Sequence, residues 1–296
     1  MVTGAANLTN YDELSGGVAI DSPFSGTSPT PQQLEMIDAE VRRLLDVLSL
    51  AEGRFMRWSI RQVWLGGQLH SALCRGPMPS SEPRFPLFSL LNFSPIVSLA
   101  VDRYTEELCE NSGIDVAIEW FLMHPRYTEA EFLTGMTALE HLIYVFVKRN
   151  PQGGILPRST FKNLVRPRLK AALDEVFQFL LQNAVPNAGE AQEVMTQKLG
   201  ELNRRTLQTN LQALLIHYAV PVLDIEGEVR SLIELRNQIV HRGHRAESNL
   251  PQPLSYYAAV LRELLTRIFL SLLQYRGEYQ SYLEGPEWKQ FPPVGK

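Results

Sequence analysis

Apolar side chains recur at three- and four-residue steps along most of the chain, and strand-like alternation is nearly absent. From position 32 the pattern runs through Leu34, Ile37, Val41, Leu44, Leu45 and Leu48 until Gly53 interrupts it, and a second helix is expected over 54–73. Pro77, Pro79, Pro83, Pro86 and Pro95 then punctuate a stretch that also holds Phe85, Phe88 and Phe93, which reads as an irregular, partly anchored connection. Beyond it the helical signal is nearly continuous. The clearest segment is 128–149, where Phe132, Leu133, Met136, Leu139, Ile143, Phe146 and Val147 make one stripe and Lys148 and Arg149 sit at the end the helix dipole favours. Further helices are expected over 159–182, 190–219, 226–242 and 254–283. Residues before 32 are rich in Gly, Ser, Thr, Asn and Pro and bury too little apolar surface to offset ordering.

These patterns predict an all-α helical bundle. The expected parts are a flexible arm over 1–31, an N-terminal helical region with its Pro-rich connection over 32–115, a helical domain over 116–285 and a tail over 286–296.

At 296 residues the chain is long enough to bury a substantial core. With 28 Lys and Arg against 32 Asp and Glu the net charge is −4, so any nucleic-acid contact has to be local. Cys74 and Cys109 stand in no metal or redox spacing and point to structural roles in a reducing compartment. His70 and Cys74 are four apart and would share a face of the helix expected there, yet two ligands close no metal site. No basic and apolar leader opens the chain, and no apolar run approaches the roughly 18 residues of a spanning helix, so a cytoplasmic protein without a membrane contact is expected.

Phosphate-binding glycine loops, His-Glu-x-x-His and Gly-x-Ser-x-Gly are all absent. The segment 228–244 is different. On a helical wheel Val229, Leu232, Ile233, Leu235, Ile239 and Val240 define an apolar face, and Arg236 falls near its middle, where a guanidinium is costly unless it meets an anion. Asn237 and His241, four apart, stack on one flank beside it. The bland explanation is an internal ion pair of Arg236, with Glu140 as a plausible partner, while Asn237 and His241 satisfy nearby backbone.

Leu235-Arg236-Asn237-Gln238-Ile239-Val240-His241, with the upstream helix carrying Ala138-Leu139-Glu140 and one more long helix downstream, resembles the HEPN superfamily of helical ribonucleases, and within it the HEPN domains of ApeA-like prokaryotic defence proteins. The resemblance covers roughly 116–282. It implies a HEPN-like bundle and a metal-independent endoribonuclease, without a cofactor, in an antiphage defence or toxin system. In such an enzyme the 2′-hydroxyl of single-stranded RNA attacks the adjacent phosphorus. His241 would move the proton, Arg236 would hold the charge on the phosphoryl oxygens and Asn237 would orient phosphate or imidazole. Because these enzymes join two copies of the motif and this chain holds one, a homodimer is implied, with a regulatory protein or another defence subunit as a further partner.

Three other groups are candidates for RNA contact. Arg158, Lys162 and Arg166 follow at four-residue steps as a basic stripe, with an ordinary solvated face as the alternative. Arg242, His244 and Arg245 trail the motif, with Gly243 a candidate helix end. Tyr275, Tyr279 and Tyr282 would lie along the last helix, where core packing competes with base stacking. Two rival functions stay open: a non-catalytic HEPN module that binds nucleotide or RNA or serves as a scaffold, and a helical adaptor in which Arg236 is neutralised internally.

Overall fold

A computed structural model describes residues 2–4, 16–18, 30–57, 60–65, 68–74, 85–88, 93–150, 155–242 and 251–293; at some of these, His241 and Arg242 among them, the backbone alone is described. The chain is mainly helical. Two short strands, β1 (Val2–Gly4) and β2 (Gly16–Val18), pair antiparallel in the segment expected to be a loose arm. Helix α1 (Pro31–Glu52) begins where the pattern began. Thr30 and Gln33 exchange side-chain hydrogen bonds with each other's backbone, and Pro31 occupies the first helical position, where its missing N–H costs nothing. Gly53 ends the helix at φ 65°. A Cβ there would lie 2.5 Å from the Phe85 carbonyl oxygen, so both the left-handed backbone and the close approach require glycine.

The helix expected over 54–73 is not formed. In its place β3 (Ile60–Leu65) and β4 (Gln68–Cys74) make an antiparallel hairpin, with Leu65 opposite Gln68. Ile60, Val63 and Trp64 favour the extended chain, and Gly66-Gly67 stands between the strands, the residue pair that a two-residue hairpin loop selects. His70 and Cys74 therefore lie on a strand. Four residues of strand span about 13 Å, which removes the shared helix face.

Three helices follow, α2 (Phe93–Arg103), α3 (Glu106–Ser112) and α4 (Ile114–Phe121), and then α5 (Thr128–Arg149). By length and composition α5 is apolar enough to cross a membrane, although no run that long was expected; its Phe132, Met136, Ala138, Leu139, Leu142 and Ile143 are buried within the protein. The chain continues through α6 (Arg158–Thr160), a π-helical turn (Phe161–Val165) and α7 (Arg166–Gln182). Pro167 has no N–H to offer a carbonyl one turn back, and the wider turn stands just ahead of it.

The single helix expected over 190–219 is two. Between α8 (Ala188–Lys198) and α9 (Leu207–His217) lies a tight turn, Leu199–Asn203. The Asn203 amide holds both the N–H and the carbonyl of Leu156, at 2.8 and 3.0 Å, and Thr206 caps the new helix. Helix α10 (Glu226–Arg242) matches its expectation, and α11 (Leu254–Leu272) ends eleven residues short of 283. Beyond it Gln274 turns left-handed, and β5 (Gly277–Ser281) pairs with β6 (Glu287–Phe291), so that much of the expected tail is paired strand.

The chain divides into two compact units, residues 1–139 with 221–296, and residues 140–220. Helix α1, expected in a separate N-terminal region, thus shares a unit with α10 and α11. In that unit α1 packs on α2 and α4, and α11 on α4 and α10. The Leu87 N–H donates to Ala51 and its carbonyl accepts from Gln280, which fastens the end of α1 to β5. At Gly135 a Cβ would fall 2.8 Å from Leu261 Cδ2, so α5 approaches α11 where it carries no side chain. In the smaller unit α7 packs on α8 and on the turn that follows it, and Phe146 meets Tyr218 edge to face and His217 at a tilt.

Candidate functional site

Helix α10 carries Glu226 and Glu228 in its first turn, where the dipole favours acids. Val229, Leu232, Leu235 and Ile239 bury its inner stripe against the core. Arg236 lies within the arc of that stripe, in the half of the helix where cover is thinning: Val240, one turn on, is 51 % exposed. The guanidinium is half-buried instead of sealed in, which reduces the desolvation cost expected for it. Arg236 Nη1 donates to Asn237 Oδ1 at 3.2 Å, and Asn237 is exposed. The helix continues through His241, so Asn237 and His241 are one turn apart on the same flank. On the other side of α10, Gln238 Oε1 is buried with no hydrogen-bond partner among the described residues.

The side chains of His241 and Arg242, and the whole of His244 and Arg245, lie outside the described residues. Arg158, Lys162 and Arg166 are exposed and belong to the smaller unit, whereas the motif belongs to the larger one. The three tyrosines share no helix. Tyr275 packs edge-on against Phe88 and donates to the Glu278 carbonyl; Tyr282 donates to the Pro86 carbonyl. Tyr279 is fully buried in β5, and these engagements replace the stacking platform considered for them.

Tyr279 leads to a cluster that pattern reading missed. The buried Glu263 carboxylate accepts from Arg267 Nε at 2.8 Å, Tyr279 Oη at 2.5 Å and Ser281 Oγ at 2.8 Å. Arg267, 1 % exposed, also grips both carboxylate oxygens of Asp224, at 2.6 and 2.8 Å, and donates to the Pro221 carbonyl. The Arg267 hydrogen bonds hold Asp224 below the usual carboxylate range against the opposing effect of burial. A charged pair four residues apart inside the otherwise apolar run of α11 was the available signal. The cluster ties α11 to β5 and to the start of α10, and its polar atoms are engaged with one another, which makes it a fastening.

A second acidic group gathers where α1 meets α4. Burial pushes the Asp46 carboxyl up to about 6; Arg57 and Arg42 pull it down, while Glu119 and Asp115 add to the rise. Tyr104, fully buried, directs its hydroxyl at Asp46 over 3.5 Å. Burial first and Asp115 next push the neighbouring Cys109 thiol up to about 11, which leaves little thiolate at neutral pH. Among the described residues no three His, Cys, Asp or Glu side chains gather closely enough to hold a metal ion. Compared with known proteins, the chain matches no family model, no curated protein and no solved structure.

Proposed function

We propose that this protein is a metal-independent endoribonuclease of the HEPN type, built on a HEPN-like bundle and acting on single-stranded RNA in a prokaryotic defence or toxin system. The observation that carries the reading is the joined Arg236 and Asn237 pair on the partly uncovered flank of α10, with His241 one turn further along. A half-buried arginine beside an apolar stripe suits a phosphate: lowered water access strengthens its hold on the charge that grows on the phosphoryl oxygens. Asn237 already accepts from Arg236 and so orients the fork. Histidine at the next turn supplies an imidazole, a side chain suited to taking or returning the 2′-hydroxyl proton. The exposed Val240 beside them fits a second copy covering this flank, with each chain supplying half of the cleft.

The test is cleavage of a mixed-sequence RNA in EDTA by wild type, Arg236→Ala and His241→Ala. Wild type is expected to leave 2′,3′-cyclic phosphate ends, and each variant to lose at least about a hundredfold in rate. Cleavage that disappears with the chelator, or that survives both substitutions, overturns the reading. RNA bound but left intact by wild type supports the non-catalytic binding module instead.

A further inference from the structure

Helix α7 presents two apolar faces, and among the described residues only one is covered. Phe177 is buried on the side that meets α8, where Asp174 accepts from Gln192 at 2.9 Å. Roughly a third of a turn away, Leu169, Ala172, Val176 and Phe179 follow one another along α7, and Val165, the last residue of the π-helical turn, precedes them, so that the steps alternate four and three. Leu169 is 36 % exposed, Val176 54 % and Phe179 64 %. The average step of 3.5 residues is the repeat of a seam between two helices that pack along their length, and it is not needed for a solvated surface.

The charges beside the seam say what covers it. From residue 158 to 182 the N-terminal half carries Arg158, Lys162, Arg166, Arg168 and Lys170, and the acids Asp174 and Glu175 come later. No acid occupies the first turn of α7 and no base the last, the reverse of what the dipole favours in an isolated helix. A second copy running antiparallel offsets both faults, because it lays acidic half on basic half and opposes the dipoles. It also matches the details. Arg168 and Glu175 are exposed, seven residues apart, on one flank of the seam. With Leu169 of each copy set against Ala172 of the other, and Val165 against Val176, Arg168 of each chain faces Glu175 of its mate. A parallel copy would instead lay basic half beside basic half and align the dipoles.

We propose that α7 is a self-association surface on which a second copy of this chain docks antiparallel through the 165–169–172–176–179 seam. The surface is separate from α10 and does not depend on the ribonuclease reading. If α10 also pairs, two different two-fold contacts on one chain build assemblies larger than a dimer, so the readout is the change in mass on substitution.

The experiment is light scattering after size exclusion on the full chain, 33.5 kDa as a monomer. Wild type at about 50 μM is expected above monomer mass, and Val176→Glu is expected to halve it with the helical circular dichroism unchanged, since the side chain is on the surface. Arg168→Glu and Glu175→Arg should each weaken association about tenfold or more, and the double exchange should return it to within about threefold of wild type. A monomeric wild type, a Val176→Glu protein of undiminished mass, or a double exchange no better than either single change overturns the proposal. RNA cleavage is not the readout: an undiminished Val176→Glu mass or an unrescued double exchange overturns this proposal and leaves the α10 reading standing, a monomeric wild type overturns both this proposal and the two-chain cleft on α10, and loss of cleavage alone leaves this one.

Discussion

Asp46 shows how a single side chain can work against its own fold. Its carboxyl titrates near 6 in the folded chain, raised by burial and then by Glu119 and Asp115, against the ordinary value near 4 when unfolded. Below about pH 4 the group is neutral in both states and costs nothing. As pH rises to about 6 and beyond, the unfolded chain loses this proton first, so the stability associated with the neutral carboxyl is lost. Asp224 has the opposite sign: lowered by Arg267, it adds stability above the usual carboxylate range that disappears as pH falls through it. The Asp46→Asn variant is therefore expected to equal wild type near pH 4 and to exceed it at pH 8, with Tyr104 still able to donate to the amide oxygen. Urea midpoints of both proteins across pH 4–8 check this, and a variant no more stable than wild type at pH 8 sinks the idea.

Among the elements, the C-terminal hairpin depends most on a few polar atoms, since Tyr279 and Ser281 of β5 both meet Glu263 of α11. Replacing Arg267 by Met fills similar volume yet leaves Glu263 and Asp224 without their cation. Breaking a buried pair from one side costs about 3–5 kcal/mol. Arg267→Met should lower the urea midpoint accordingly, and amide exchange over 277–291 should accelerate; a loss under about 1 kcal/mol would mean that the apolar packing of α11 alone holds the hairpin. The same hairpin shows what the sequence made legible. Helices that bury one face, α1, α5 and α10, declared themselves through their stripe and their caps. The hairpins β3–β4 and β5–β6 did not, because the tyrosine spacing of 275–282 and the leucines of 65–73 also fit a helix and compete with the turn signals Gly66-Gly67 and Gly285-Pro286. The buried pair Glu263 and Arg267 was hidden for another reason: spacing of four is equally that of a solvated surface pair, and only the packing of α11 decides between them. Arg236, by contrast, stands out against the apolar stripe in the sequence itself, whereas how far the cover of α10 thins by Val240 depends on tertiary packing.

At the scale of the whole molecule, the motif on α10 and the seam on α7 belong to different compact units, so each association can be disturbed without touching the other's residues. If α10 carries the proposed ribonuclease centre and that centre is composite, its two halves are interchangeable between chains. An Arg236→Ala chain still supplies His241, and a His241→Ala chain still supplies Arg236. A mixture of the two inactive variants, allowed to exchange partners, forms about half of its pairs as mixed pairs, and each of these restores one arginine and one histidine to a shared cleft. Cleavage should therefore reappear on mixing, rise as exchange proceeds and fall again on dilution below the dissociation constant of the pair. Neither variant alone should show that time course. A centre complete within one chain gives the opposite result, a mixture no more active than the sum of its parts. The comparison needs only wild-type RNA and two single substitutions on α10, where Asn237 is exposed and the helix is already closed by its own backbone hydrogen bonds.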